Sequence, residues 1–372
     1  MSSMATMNLR EALPAELEDW DAWTVDVPGG DIYQSSAWAA YRRRWGWRPR
    51  FLVFEDGFRL LSLERPWPLV GGSSAYLSRG PITRGEPATV TAARLQAATA
   101  FLVAHGVGVI ASDPEIEASS GYGDLIRAFG YLPIEEIQPS RHRLSISLAG
   151  AREASAMAGF SATARQMVGY GLRDGLTVVR HDRAAATSIE GITRPEGDER
   201  AAACAGFERL WSIVAETSDR RGFHLGNRAQ FLDWCITGFD AAGIVLLEVV
   251  DPSGATVGAG MYYRHGARLT YSHGGDRFAA RGVTRGVAQV QTWRAIQIAL
   301  SEGRAEMDLG GADIRGARRV PEPDDPMFGL YQHKRMYGAL WVEMTGNHEL
   351  VARPRRYALG RALVKAQSLL RR

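Results

Sequence analysis

Lys334, in the stretch GLYQHKRMYG from Gly329 to Gly338, is one of two lysines in a chain whose Lys and Arg number 44. A lysine carries a compact ammonium, whereas the planar guanidinium of arginine places its charge and donors differently. In a chain so biased towards arginine, a lysine raises the question of whether this position calls for the smaller charge. The competing reading is an ordinary surface lysine. The other one, Lys365 in YALGRALVKAQSLLRR, has no motif around it. Two carboxylates also draw notice, because each ends a short apolar run. Asp113 closes VGVIASDPE ahead of Pro114, where an aspartate serves either proton transfer or a strand-end turn. Asp308 closes AEMDLGG, and the Gly310–Gly311 pair behind it points to a backbone turn.

Other chemistries find little support. The eight His are scattered with no ligand spacing, and Cys204 and Cys235 stand alone, so neither a metal centre nor a disulfide framework is expected. No Gly-x-Ser-x-Gly elbow is present, which argues against a covalent serine mechanism. QMVGYG, from Gln166 to Gly171, fits the Gln/Arg-x-x-Gly-x-Gly/Ala phosphate loop of acyl-CoA N-acyltransferases, but it lies in a helix-like stretch rather than between a strand and a helix.

The formal charge of +3 is carried by arginine clusters at Arg42–Arg44, at Arg353, Arg355 and Arg356, and at Arg371–Arg372. Clusters of this kind suit phosphate-bearing partners, and an Arg-rich codon bias explains them equally well. The chain of 372 residues, 45% hydrophobic and 23% charged, is long enough for two domains. Neither a signal peptide nor a membrane-spanning run is read, and a reducing cytoplasm is the expected location.

The elements that must position these residues follow one order twice. RPRFLVF, a turn at Asp56–Gly57, FRLLSLERP and SSAYLSRGP read as three strands. A helix follows over PATVTAARLQAATAFLVAHG, with Ala93, Leu95, Ala98, Phe101 and Leu102 on its apolar face, and then the strand ending at Asp113. The second half repeats this with GIVLLEVV, the turn Asp251–Gly254, ATVGAGMYY and ARLTYSHGG. Its helix carries Val287, Val290, Trp293, Ile296 and Leu300 on one face, and its last strand ends at Asp308. The expected fold class is therefore α+β, a duplicated mixed sheet flanked by helices. One domain spans residues 1–148, completed by 345–372, and a second spans 149–344. The polar stretch from Gly150 to Asp198 joins them.

This order of elements is that of the acetyltransferase (GNAT) fold. Read together, YQSSAWAAYRRRWGW, YLSRGPI, ASDPEIE, AFGYLPIEEIQPS, ETSDRRGFHL, VQTWRAIQIALSEGRAEMDLGG and GLYQHKRMYG resemble, in this order from Tyr33 to Tyr357, segments of the Fem family of aminoacyl-tRNA-dependent transferases. The resemblance implies tandem GNAT-like domains and an enzyme that moves an aminoacyl group from tRNA to an amine of a peptidoglycan precursor, with no cofactor. It implies that Lys334 steadies the developing oxyanion and that Asp113 orients the acceptor amine or takes its proton. Arg42, Arg220, His224, Tyr271, His273 and His333 fall at its acceptor-binding positions. The basic cluster Arg353, Arg355 and Arg356 is the candidate tRNA contact. The chain departs from the family in having His333 for Phe, His224 and His273 for Tyr and Arg42 for Lys, and it lacks the helical arm that some members insert. These changes leave the acceptor open between a nucleotide- or lipid-linked muramyl peptide and a small molecule or peptide of secondary metabolism. An acetyl-CoA-dependent transferase and a non-catalytic ligand-binding protein remain alternatives at this point.

Overall fold

The computed structural model describes residues 7–370 apart from 68–70, 139–140, 185–187, 222–224, 281 and 313–318. The chain divides into two compact units, residues 1–141 with 343–372 and residues 142–342. In chain order, the first unit begins with β1 (Leu9–Glu11), α1 (Trp20–Thr24), α2 (Ser36–Arg44), β2 (Arg48–Phe54), β3 (Arg59–Pro66), β4 (Ser73–Leu77), α3 (Ala88–Ala104), β5 (Val107–Ser112), α4 (Tyr122–Ala128) and β6 (Leu132–Pro133). The second comprises β7 (His142–Ser147), α5 (Glu153–Ala158), α6 (Ala162–Arg173), β8 (Thr177–His181), β9 (Ile192–Thr193), α7 (Glu199–Arg221), α8 (Arg228–Asp240), β10 (Ile244–Val250), β11 (Thr256–His265), β12 (Arg268–Asp276), α9 (Val287–Ser301), β13 (Glu306–Asp308), α10 (Phe328–Arg335) and β14 (Leu340–Glu343). The chain then returns to the first unit as β15 (His348–Val351) and α11 (Pro354–Leu370).

The first sheet has the order β1-β2-β3-β4-β5-β15-β6 and the second β14-β7-β13-β12-β11-β10-β8-β9. Three antiparallel strands, a helix and a parallel fourth strand recur in both: β4 runs parallel to β5, and β12 parallel to β13. Local chemistry sets the hairpins. At Asp56–Gly57 the φ of Gly57 is +79°, and Asp56 Oδ1 accepts the Phe58 N–H at 3.1 Å. At Asp251–Gly254, Asp251 Oδ1 accepts from the N–H groups of Ser253 (2.9 Å) and Ala255 (3.1 Å), and Gly254 takes φ +86°. Each turn needs a left-handed residue that glycine supplies without a Cβ clash.

Helices α3 and α9 cover the sheets with the expected faces: Leu95, Ala98 and Leu102 and Val287, Val290, Trp293 and Ile296 are buried, while Ala93, Phe101 and Leu300 at the edges of those faces are half-buried. Burial around α9 extends further, to Gln291, Arg294 and Gln297, because α5 and α6 pack on it as well as the sheet. Against α6, Gly171 lets the helices meet: a Cβ there would stand 2.7 Å from Val290 Cγ2.

Two expectations need correction. The seam between units falls before His142 rather than at 148/149, since β7 pairs with β13 through Ser147↔Glu306, Ile146↔Met307 and Ser145↔Asp308. The stretch from Gly150 to Asp198 is not a connector, because it supplies α5, α6, β8 and β9 to the second unit, with β8 paired along β10. Its polar composition reflects amphipathic elements at the sheet's edge, whose buried residues include Phe160, Ala164, Val168, Leu176 and Val178.

Candidate functional site

In the first unit the β4–β5 ladder ends at Leu77↔Ser112, and the next residue, Asp113, stands where the two strands part. Its carboxylate is fully enclosed. Oδ2 accepts the Tyr76 hydroxyl at 2.7 Å, Oδ1 accepts the Arg79 backbone N–H at 2.7 Å, and the Arg79 Nη1 lies 3.3 Å from Oδ2. Burial pushes the Asp113 carboxyl up to about 6, against the opposing pull of the Arg79 charge and the two hydrogen bonds. Burial also opposes the charge on Arg79, but Asp113 and Glu115 hold its guanidinium firmly protonated. The Asp113 side chain thus shapes the turn, through the Arg79 N–H, and also keeps a titration midpoint near neutrality.

Arg42, in the last turn of α2, lies in the same neighbourhood. Burial lowers its pKa, with the Tyr41 and Tyr76 hydroxyls raising it and Arg65 lowering it further, so Tyr76 touches Asp113 and is also felt by Arg42. The guanidinium carbon stands 5.2 Å from the Trp38 ring centroid and 4.5 Å from that of Trp47, and Arg65 approaches Trp47 at 5.6 Å. The Arg42 Nε is buried with no hydrogen-bond partner. Two guanidinium groups drawn to one indole gather positive charge in this corner of the first unit.

In the second unit β12 and β13 share only Arg268↔Glu306, Leu269↔Met307 and Thr270↔Asp308. Beyond that, Leu309 turns to β7, donating its N–H to Leu144 O at 2.8 Å, while β12 runs on to Asp276. Asp308 Oδ1 accepts the Gly310 N–H at 2.7 Å and Gly310 takes φ +72°, which gives Asp308 a turn-making role. Into this opening α10 extends Lys334, only 7% exposed, whose Nζ donates to Gly311 O at 2.6 Å and lies 6.0 Å from the Tyr271 ring centroid. A Cβ on Gly310 would come within 3.5 Å of that ammonium. The space fits a compact cation, which accounts physically for a lysine here in an arginine-rich chain.

Tyr271 and His333 adjoin Lys334. Tyr271 packs edge-on to the buried Tyr262 with centroids 5.5 Å apart, and burial raises its hydroxyl pKa. His333, next to Lys334 on α10, has its Nε2 3.3 Å from the Tyr337 hydroxyl. His273, two residues along β12, meets Phe231 edge-on at 5.2 Å and Ser272 Oγ through Nδ1 at 2.7 Å. Burial holds its imidazole down to about 4, so it is neutral near pH 7. Arg220 is exposed near the end of α7, 5.4 Å from the exposed Phe278 ring, and His224 lies outside the described residues.

The basic cluster belongs to the first unit. Arg355 and Arg356 are exposed in the first turn of α11, whereas Arg353 is half-buried and donates through Nη2 to Val103 O at 3.3 Å. Cations at a helix N-terminus oppose its dipole, so this placement concentrates positive potential at the expense of helix stability.

The helix-like reading of QMVGYG holds, and the acyl-CoA loop finds no support. Gln166–Gly171 lies wholly inside α6, so its backbone N–H groups serve the helix and are not free to cradle phosphates, and Gly171 acts in helix packing. Among the described residues no group of three or more His, Cys, Asp or Glu is placed to hold a metal ion, and no helix is long and apolar enough to cross a membrane. Sequence reasoning did not single out Tyr76, Arg79, Trp47 or Tyr337. YLSRGPI pointed to the right segment, yet nothing local shows that Tyr76 and Arg79 converge on Asp113.

No family model matches the chain. Compared with curated proteins, it is 22% identical over 385 aligned positions to the lipid II:glycine glycyltransferase of Staphylococcus saprophyticus, covering 89% of this chain and 90% of that protein. Among solved structures, FemX matches with a TM-score of 0.74 at 16% identity, covering 95% of this chain and all of that one. L-PGS from Bacillus licheniformis matches more loosely, with a TM-score of 0.51 at 12% identity over 98% of each chain. The Fem resemblance carried by the motifs is borne out, by a sequence likeness to a glycyltransferase through nearly the whole chain and by the FemX fold.

Proposed function

We propose that the chain is an aminoacyltransferase that forms a peptide bond outside the ribosome, moving an aminoacyl group from aminoacyl-tRNA to an amine of a muramyl peptide. The observation that carries this reading is the likeness to a lipid II:glycine glycyltransferase, which extends over 89% of the chain. The aminoacyl ester is already activated, so the protein's tasks are alignment and electrostatics, and no cofactor is required. The neutral amine attacks the ester carbonyl, the tetrahedral oxyanion collapses, and the 3′ oxygen of the tRNA leaves and takes up a proton.

On the acceptor side, Asp113 serves as the proton acceptor for the attacking amine. Its midpoint near 6 leaves it ionised at neutral pH and still basic enough to receive a proton. Arg42 takes acceptor phosphate through its guanidinium, with Arg65 adding charge. Lys334 supplies the fixed positive charge for the oxyanion, and Tyr271, His273, His333 and Arg220 are the candidate acceptor contacts of its own unit. Arg355 and Arg356 contact tRNA phosphates, and Arg353 supports them from its half-buried position. A tRNA donor places the reaction in the cytoplasm.

The test is a transfer assay with a pool of tRNA charged with labelled amino acids, offered a lipid-linked and a nucleotide-linked muramyl pentapeptide in separate reactions, with and without ribonuclease, beside a reaction with acetyl-CoA. Ribonuclease-sensitive label on either pentapeptide is the expected result. Label arriving only from acetyl-CoA overturns the reading.

A further inference from the structure

We propose that Arg79 is a positioning residue, holding the Asp113 carboxylate charged and in a fixed orientation for its task. The inference rests on the reading of Asp113 as the acceptor-side base. Arg79 contacts Asp113 twice, with its backbone N–H 2.7 Å from Oδ1 and its guanidinium 3.3 Å from Oδ2. The first contact fixes the plane of the carboxylate, and the second supplies charge.

That charge is needed because the Asp113 side chain is wholly buried, and a buried carboxylate without a cation takes up a proton. The groups facing it make this plain. Tyr76 of β4 donates a neutral hydrogen bond, and Asp31, buried ahead of α2, adds a like charge. Glu115, just past β5, sits 4.0 Å from Arg79 Nε and shares the guanidinium's charge with Asp113. Arg42 of α2 lies beyond Tyr76. Among the described residues, the cation shown in contact with Asp113 is Arg79.

The backbone provides an independent argument. Arg79 has φ +51°, in the left-handed region where a non-glycine residue is disfavoured by about 1–2 kcal/mol. Glycine would occupy the position more comfortably, as the N–H contact to Asp113 needs no side chain. An arginine kept at a glycine-favouring position, its side chain only 12% exposed and aimed at Asp113, is there for its guanidinium.

The variant Arg79→Gly therefore suits the backbone while removing the charge, and Arg79→Lys restores a charge. Transfer is measured in single turnovers from pH 5.5 to 8.5 and expressed as the ratio of variant to wild-type rate at each pH, which cancels ionisation of the acceptor amine. Loss of an adjacent cation raises a carboxylate midpoint by about one to three units. For a two-unit rise from about 6, Arg79→Gly is slower by roughly tenfold at pH 7 and recovers towards wild type at the alkaline end. Arg79→Lys recovers most of the loss. Carbon-13 NMR of the Asp113 carboxyl shows the same upward movement of its midpoint in Arg79→Gly.

A ratio independent of pH, with an unmoved carboxyl midpoint, overturns the proposal even if the variant is slow. The variant Asp113→Asn separates the two readings. If it transfers at the wild-type rate, the role of Asp113 falls and takes this one with it. If it is inactive while the Arg79→Gly ratio stays flat, only the role of Arg79 falls.

Discussion

Replacing Lys334 by methionine removes a charge and leaves a side chain of similar length. The ammonium it deletes is 7% exposed and held by Gly311 O at 2.6 Å, so its position is fixed before any substrate arrives. A unit negative charge developing about 4 Å from such a cation is stabilised by roughly 4 kcal/mol at an effective dielectric of about 20. Losing a single preorganised oxyanion partner slows catalysis by about 100- to 1,000-fold, a barrier increase of roughly 3–4 kcal/mol. Lys334→Met should therefore lower single-turnover transfer by that factor while changing acceptor affinity by less than about threefold, as measured by calorimetry. Stability should move little, because the lost charge-assisted bond of about 1.5–3 kcal/mol is offset by relief of a buried charge. Lys334→Arg keeps the charge, but the space beside Gly310 and Tyr271 does not fit a planar fork, so less than a tenth of the activity should return. Transfer by Lys334→Met within threefold of wild type would refute the charge argument, and full activity in Lys334→Arg would refute the steric one.

Three further outcomes follow from the packing and the charges. The buried Glu248, bonded to Arg209 and His181, has its carboxyl lowered from 4.5 to about 2. Burial alone would raise it, but hydrogen bonds and electrostatic attraction from Arg209 and His181 outweigh that. A lowered acid midpoint stabilises the fold above the unfolded midpoint, so Glu248→Gln should lose about 3 kcal/mol in denaturant titrations at pH 7, and the gap should close as pH falls from about 4.5 towards 2. Gly171→Ala should lower the melting temperature despite the better helix propensity of alanine, since overpacking against Val290 and the Arg285 carbonyl costs about 1–3 kcal/mol. A rise in melting temperature would show that α6 and α9 yield easily. Reversing charge with Arg355→Glu and Arg356→Glu should weaken aminoacyl-tRNA binding, flatten its dependence on log salt by about two units, and stabilise α11 by up to about 1 kcal/mol per residue at low salt. Unchanged binding would move the tRNA contact elsewhere.

The Asp56–Gly57 and Asp251–Gly254 turns, the buried faces of α3 and α9 and the repeated strand order were legible in the sequence because each depends on residues a few positions apart. Less could be read of the edges. β7 looks like an end to the first half until its pairing with β13 assigns it to the second, and the polar run after Gly150 hides β8, whose partner β10 lies far along the chain. Motif order drew attention to Asp113 in the first unit and to Lys334 in the second, but not to their surroundings. Gln166–Gly171 matched a pattern whose meaning depends on lying between a strand and a helix, and the fold puts it inside α6.

What the sequence by itself determined is local: which segments become strands or helices, where glycine and aspartate turn the chain, and that a rare lysine sits in a family-like motif. What only the tertiary structure decided is the state of the candidate groups. Asp113 is 37 residues from Tyr76, and Lys334 is 23 residues from Gly311, yet these contacts set how each side chain is held. A midpoint near 6 for Asp113 comes from burial opposed by Arg79, and burial sums over everything that excludes water from a point in space. That sum has no signature in neighbouring residues, so it exists only once the chain has folded.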